Sequence, residues 1–179
     1  MINIMPTYGR IDLSFERGDG PWLFTEDGRK YLDFASGIAV NTLGHSNKEL
    51  INVLIEQSKK VWHTSNLYNI KPQSDLAKLI CQNSFGESVF FCNSGAESLE
   101  GTIKLCRRFH FNNGDRDKID ILVCSSAFHG RTLGTLAAGD NEKHREGFGV
   151  NTNGFIRVPF GDINEIKKCI NKNTAAILV

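Results

Sequence analysis

Two short stretches carry side chains whose types and spacing could do chemistry. The first is Asn93-Ser94-Gly95-Ala96-Glu97, ahead of Leu99, Ile103 and Cys106 at helical spacing. Ser94 with Glu97 three residues on has the spacing of a capping box, and Gly95 and Ala96 leave the first turn bare. A helix start of this kind offers free backbone N–H groups and the positive end of the helix dipole, which suits a phosphate. The same residues also make an ordinary cap with no ligand. The second stretch is Ser125-Ser126-Ala127-Phe128-His129-Gly130-Arg131-Thr132. An aromatic face suits stacking on a planar heterocycle, and an arginine fork suits a carboxylate. The alternative puts Phe128 in the core, bonds His129 to backbone and leaves Arg131 in a surface ion pair.

Both stretches need strands and helices to hold them. Val89 to Cys92 reads as a short buried strand feeding the first turn, and the helix that follows should run to about Asn112, where Asn113-Gly114 stops it. Ile119 to Cys124 is a continuous apolar run, as expected of a strand covered on both faces. Phe155 to Pro159 reads as a weaker strand. Asp162 and Glu165 start a short helix with Ile163, Ile166 and Ile170 at helical spacing, and Ala175 to Val179 reads as another buried strand. Strands alternating with helices predict an α/β fold with a mostly parallel sheet and flanking helices. In such sheets, loops at the carboxyl ends of strands bind ligands.

Upstream, the first twenty residues read as a polar, glycine-rich arm. Trp22–Thr25 and Arg29–Phe34 flank Glu26-Asp27-Gly28, a hairpin signal. The small, apolar segment from Ala35 to Gly44 suits a close-packed loop. A helix from Asn47 to Trp62 should carry Leu50, Leu54, Ser58 and Val61 on one face. Pro72 suits the first turn of a further helix, with Leu76, Leu79 and Ile80 inward.

Composition narrows the function classes. The 179 residues are 40% hydrophobic and 23% charged, ordinary for a soluble globular protein. A net charge of +1 provides no strong field toward nucleic acid or acidic lipid. The five cysteines (Cys81, Cys92, Cys106, Cys124, Cys169) include no Cys-x-x-Cys pair and are expected to be buried, reduced thiols rather than disulfides or a metal site. No secretory signal or membrane span is apparent, so the expectation is cytoplasmic.

Asn93-Ser94-Gly95-Ala96-Glu97, with Glu100 and Ile103-Lys104, resembles the phosphate turn of the class III pyridoxal-phosphate-dependent aminotransferases. Phe128-His129-Gly130-Arg131-Thr132 is similar to that family's aromatic loop. Tyr8-Gly9-Arg10, Gly18-Asp19-Gly20, Tyr31-Leu32-Asp33-Phe34 and Leu43-Gly44-His45 agree, in the family's order. Ser46-Asn47 departs from a common His-Pro. Gly37 to Asn41 and His63 to Tyr68 carry the nearest likeness, to members whose amino donor is N-acylated. A tyrosine stands at the place of Gly37 in members acting on the free diamino acid, and its absence leaves room for an acyl group.

The resemblance implies fold type I of the pyridoxal-phosphate-dependent transferases, with residues 1–45 as N-terminal arm and hairpin in the small domain. Residues 46–179 would be the first part of the large cofactor-binding domain. It implies pyridoxal 5′-phosphate held by the backbone N–H groups of Gly95 and Ala96, with Ser94 Oγ as a further donor. Phe128 would stack on the cofactor ring and Arg131 would bind a substrate carboxylate. The reaction would be amino transfer from a small-molecule donor to a 2-oxo acid in a homodimer. The likeness covers nearly all of this chain but only the N-terminal part of the family's length. The Schiff-base lysine is therefore expected beyond Val179, which predicts a truncated chain that is inactive alone. A different omega-amino donor, or a phosphate-binding α/β module without catalysis, stays open.

Overall fold

Arg17–Asp19 (β1), Trp22–Phe24 (β2) and Lys30–Leu32 (β3) form an antiparallel sheet in the computed structural model, which describes residues 3–179. The β2–β3 hairpin closes through the expected Glu26-Asp27-Gly28 turn, where Gly28 has φ +82° and Thr25 N–H donates to Arg29 O at 3.0 Å. Such a turn needs a positive φ, which glycine adopts without strain. Cations cover the aromatic face: Lys30 Nζ lies 3.8 Å from the Trp22 ring and the Arg17 guanidinium 3.6 Å from Phe24. The first twenty residues are thus not wholly an arm, because β1 adds itself to the hairpin's free edge.

The chain divides into two compact units, Met1–Leu76 and Ala77–Val179. In the first, Ser36–Ala39 (α1) is a helical turn wound the left-handed way, with φ of +46°, +64°, +68° and +61°. Three of these four residues carry a Cβ, so the turn is held against roughly 1–2 kcal/mol per residue. Asp33 supplies the restraint. Its Oδ1 accepts from the N–H groups of Ala35 (3.1 Å) and Ser36 (2.8 Å), and its Oδ2 accepts from His45 Nε2 at 2.8 Å. Asn41 Nδ2 donates to His45 Nδ1 at 3.0 Å, which settles the histidine tautomer. The His45 hydrogen bond, followed by the Ser36 N–H, holds the Asp33 carboxyl below the usual carboxylate range. A Cβ at Gly18 would collide with the His45 ring.

Lys48–Ser58 (α2) starts where Asn47 Oδ1 accepts from the N–H groups of Glu49 and Leu50 at 3.0 and 3.2 Å. Lys71–Gln82 (α3) carries Pro72 in its first turn, as expected. The helices form, but their apolar faces are not inward: Leu54 is 70% and Leu79 57% exposed. Helical spacing creates an apolar stripe without saying what covers it.

In the second unit, Gly95–Asn112 (α4), Asp120–Cys124 (β4), Leu133–Ala138 (α5), Phe155–Val158 (β5), Ile163–Cys169 (α6) and Thr174–Leu178 (β6) follow in order. The strands form a parallel sheet of order β5–β4–β6, with Leu122 opposite both Ile156 and Ile177. The α/β class with a parallel sheet and flanking helices is the one expected. Ile121 to Cys124 are buried, and Ile103 of α4 packs with Ile121, Val123 and Ala138. Each isoleucine, leucine or valine among them contributes about 1.5–3 kcal/mol on full burial. Polar contacts seat α4 as well: Arg107 Nε donates to Ile119 O at 3.0 Å, and His110 Nε2 lies 2.9 Å from Ala175 O. The helix ends at Asn113, with Gly114 at φ +89°.

Three expectations fail here. Val89 to Cys92 is not a strand, and Phe90 is exposed, because apolar composition makes a strand only where a neighbour supplies a hydrogen-bond ladder. Thr174–Leu178 is a strand, but among the described residues it pairs on one side only and leaves Ile177 43% exposed. The cysteines are all reduced, yet only Cys124 is buried and Cys92 is exposed. No helix among the described residues is long and apolar enough to cross a membrane.

Candidate functional site

Ser94 stands outside α4 in an extended conformation (φ −156°, ψ 162°), and its Oγ accepts from the Glu97 N–H at 3.2 Å. Glu97 turns back so that Oε2 accepts from the Asn93 N–H at 2.6 Å. This is the reciprocal cap anticipated from the spacing, with the returning bond displaced one residue outward. It leaves the amides of Gly95 and Ala96, which donate to no acceptor among the described residues. Nothing lies within 4 Å of where a Gly95 Cβ would sit. Capping and anion binding are therefore compatible here: the serine serves the third amide and the helix dipole acts through the first two.

The second stretch leaves the carboxyl end of β4, the middle strand. Ser125 N–H donates to Val158 O at 2.8 Å, prolonging the ladder by one residue. Ser126 then adopts φ +63°, with its N–H donating to Asp140 Oδ2 at 3.2 Å. The loop turns each side chain opposite to the bland alternative. Phe128 is not in the core but 67% exposed. Arg131 makes no ion pair among the described residues, and its guanidinium lies 5.4 Å from the Phe128 ring. His129 is the buried member of the loop, and its Nε2 has no hydrogen-bond partner among the described residues. Burial pushes its pKa below the ordinary histidine value, so the ring is neutral at pH 7. Beside it is a cavity of about 90 Å³ lined by Ser126, Thr135, Leu136, Asn141 and His144 among others.

The two stretches meet. A Cβ on Gly130, at φ +131°, would come within 3.1 Å of Ala96 Cβ and 2.8 Å of Thr135 Oγ1. Glycine is required there by both the backbone angle and the close approach. The fold thus brings Gly95 and Ala96 beside the loop that carries Phe128 and Arg131.

Glu100 and Thr132 enter the sequence reading only as parts of the two motifs, and their contact and the neighbours around it escaped that reading. Thr132 caps α5 through Thr135 N–H, and its Oγ1 donates to Glu100 Oε1 on α4 at 2.6 Å. The Thr132-x-x-Thr135 spacing was a usable signal, but α5 is only Leu-Gly-Thr-Leu-Ala-Ala, too short and uniformly small to show helical periodicity. At its other end Arg157 Nη2 donates to Ala137 O (2.8 Å) and Gly139 O (2.7 Å), and Arg145 Nη1 donates to Gly139 O at 3.1 Å. Arg157 Nε is 3.1 Å from Asp140 Oδ1, an ion-pair distance without hydrogen-bond alignment. These guanidiniums satisfy the carbonyls that a helix end leaves free. A larger cavity, about 800 Å³ and lined by Arg10–Ser14 and Thr25–Arg29, lies in the first unit and carries neither stretch.

A family model described as aminotransferase class III matches residues 4–179. Acetylornithine aminotransferase of Agrobacterium fabrum is 50% identical over 176 residues, which are 98% of this chain and 44% of that protein. Acetylornithine aminotransferase 1 of Bradyrhizobium diazoefficiens is 50% identical over 177 residues, 99% of this chain and 44% of its own length. The chain thus spans less than half the length of these curated relatives. Among solved structures, N-acetylornithine aminotransferase from Stenotrophomonas maltophilia superposes with a TM-score of 0.77 at 32% identity, covering 95% of this chain and 42% of that one. Ornithine aminotransferase from Toxoplasma gondii superposes at 0.92 with 20% identity, covering 98% and 42%, a likeness of fold.

Proposed function

The chain belongs to the class III aminotransferases, and from that premise we propose that the whole protein moves the terminal amino group of N2-acetylornithine to 2-oxoglutarate, in arginine biosynthesis. Support comes from the 50% identity to acetylornithine aminotransferases and, at the residue level, from Gly37, whose missing side chain suits an acylated donor. The observation that carries the reading is the junction of two free amides, Gly95 and Ala96, with a loop that exposes an aromatic ring and an arginine.

The residues present fit pyridoxal 5′-phosphate. Gly95 and Ala96 have N–H groups with no acceptor among the described residues, the space beside Gly95 is open, and two charge-assisted bonds to phosphate would contribute ~1.5–3 kcal/mol each. Phe128 presents a ring face for stacking, and Arg131 beside it offers a fork for a substrate carboxylate. The cofactor supplies the electron sink for amino transfer, and the protein supplies orientation and field. His129, buried and neutral, adds no second positive charge beneath the loop. Residues 1–45 belong, on this reading, to the small domain, residues 46–179 begin the cofactor domain, and the full protein works as a cytoplasmic homodimer.

The test is amino transfer by the full-length protein with pyridoxal phosphate and 2-oxoglutarate, comparing N2-acetylornithine with ornithine, succinylornithine and 4-aminobutyrate. The expected result is the highest kcat/KM for N2-acetylornithine. A preference for 4-aminobutyrate or ornithine would reassign the donor, and no change in the cofactor's absorption spectrum on adding the protein would leave only a phosphate-binding module. Gly95→Asp, which sets a carboxylate beside the phosphate, should weaken cofactor binding by at least about tenfold.

A further inference from the structure

We propose that Glu100 and Thr132 are positioning residues, a strut that couples the turn at the start of α4 to the Phe128–Arg131 loop. This inference rests on the function proposed above for what the coupling serves, but the coupling itself stands on geometry. Glu100 lies one and a half helical turns into α4, on the same helix as the free amides of Gly95 and Ala96. Its Oε1 accepts from Thr132 Oγ1 at 2.6 Å, the length of a charge-assisted hydrogen bond. Thr132 is the residue next to Arg131 and the N-cap of α5. Its hydroxyl also lies 2.9 Å from Thr135 Oγ1, and Thr135 is fully buried.

With Gly134 in place the carboxylate reaches over the first turn of α5; a Cβ there would come within 2.6 and 2.7 Å of the two Glu100 oxygens and make that side chain shift. On the other side of the loop, Gly130 permits the close approach to Ala96. The loop is thus held to α4 at two points: steric contact at Gly130–Ala96, and a hydrogen bond at Thr132–Glu100. Between them on the loop lies Arg131, with Phe128 two residues before the first point and the Gly95 and Ala96 amides beside it on α4. A displacement of the loop relative to α4 would change the spacing between a phosphate on Gly95 and Ala96 and a ring on Phe128. Orientation of this kind is sensitive to shifts of about 1 Å. Among the described residues Glu100 has no cationic partner, so its carboxylate is not committed to an ion pair elsewhere.

Trypsin reads the strut directly, because its cleavage site is the Arg131–Thr132 bond. In the full-length protein, Glu100→Ala and Thr132→Val should raise cleavage after Arg131 by about tenfold relative to cleavage at the other arginines, since loss of such a bond lets the loop open locally. Thr132→Ser, which keeps the donor, should cleave at the wild-type rate, and Glu100→Gln, which keeps an acceptor but not its charge, should fall between wild type and Glu100→Ala. Unchanged cleavage after Arg131 in both disruptive variants would overturn the proposal. So would equal acceleration at every arginine, which would mark a general stability contact instead. Adding pyridoxal phosphate separates this from the function. Protection of Arg131 in wild type, lost in the disruptive variants, is the expected pattern. No protection in wild type, with the selective cleavage intact, would leave the strut standing and sink the cofactor site.

Discussion

The two compact units use opposite means to hold their shape. In Ala77–Val179 the middle strand β4 is apolar and buried, and the packing of Ile103, Ile121, Val123 and Ala138 sets where the loops emerge. In Met1–Leu76 the large apolar side chains of α1 and α2 are exposed, and a strained turn is fixed by a polar chain running Asn41, His45, Asp33 and the amides of Ala35 and Ser36. Burial is non-directional and tolerates small shifts, whereas a hydrogen-bonded chain holds one geometry. The first unit therefore specifies a backbone conformation, and the second supplies a rigid sheet.

The largest effect that would sharpen the contrast is in β4. Leu122→Ala, at a fully buried position, should cost about 3–4 kcal/mol. Urea unfolding followed by circular dichroism measures it, and a loss under 1 kcal/mol would mean that the sheet is not the stabilising element. Next comes Gly130→Ala, which combines a left-handed φ with a 2.8 Å approach to Thr135 Oγ1. It should cost about 2 kcal/mol and weaken pyridoxal phosphate binding as well, read by absorbance titration.

How much of this was legible in the sequence follows the same division. The buried run of β4, the capping box of α4 and the Asn113-Gly114 stop are local patterns, and they came out where the spacing put them. Val89–Cys92 did not, because a strand is a property of two segments and composition describes one. At the candidate site, Gly95, Ala96, Phe128 and Arg131 could be named from residue type. The burial of His129 could not, since neither reading of the loop put an imidazole without a hydrogen-bond partner inside. The left-handed turn was invisible too: Gly37 allows it, but Ser36, Ile38 and Ala39 do not advertise it.

A smaller effect separates the buried histidine from its surroundings. The folded-state pKa of His129 is depressed, so the unfolded chain takes up the proton first as pH falls. Stability should be full above the ordinary histidine value of about 6.5 and decline below it, toward the lower folded value. His129→Leu should flatten that part of the urea-midpoint profile, and an unchanged slope would assign it to other groups. The smallest effect tests the first unit's exposed faces. Leu54→Ala, 70% exposed on α2, should change stability by no more than about 0.5 kcal/mol. A loss of 2 kcal/mol would show that this face is covered in solution.

The strand order β5–β4–β6 also has a consequence for synthesis on the ribosome. β5 pairs with one edge of β4, and β6 must pass to the opposite edge after residues 159–173 have been made. At the usual pace of translation that interval lasts roughly one to three seconds. During it, Ile121 to Val123 offer an unpaired, strongly apolar edge to whatever is nearby. The nascent chain is most open to chaperones, and to mispairing with a neighbouring nascent copy, in that window, and slowing the ribosome between β5 and β6 would widen it.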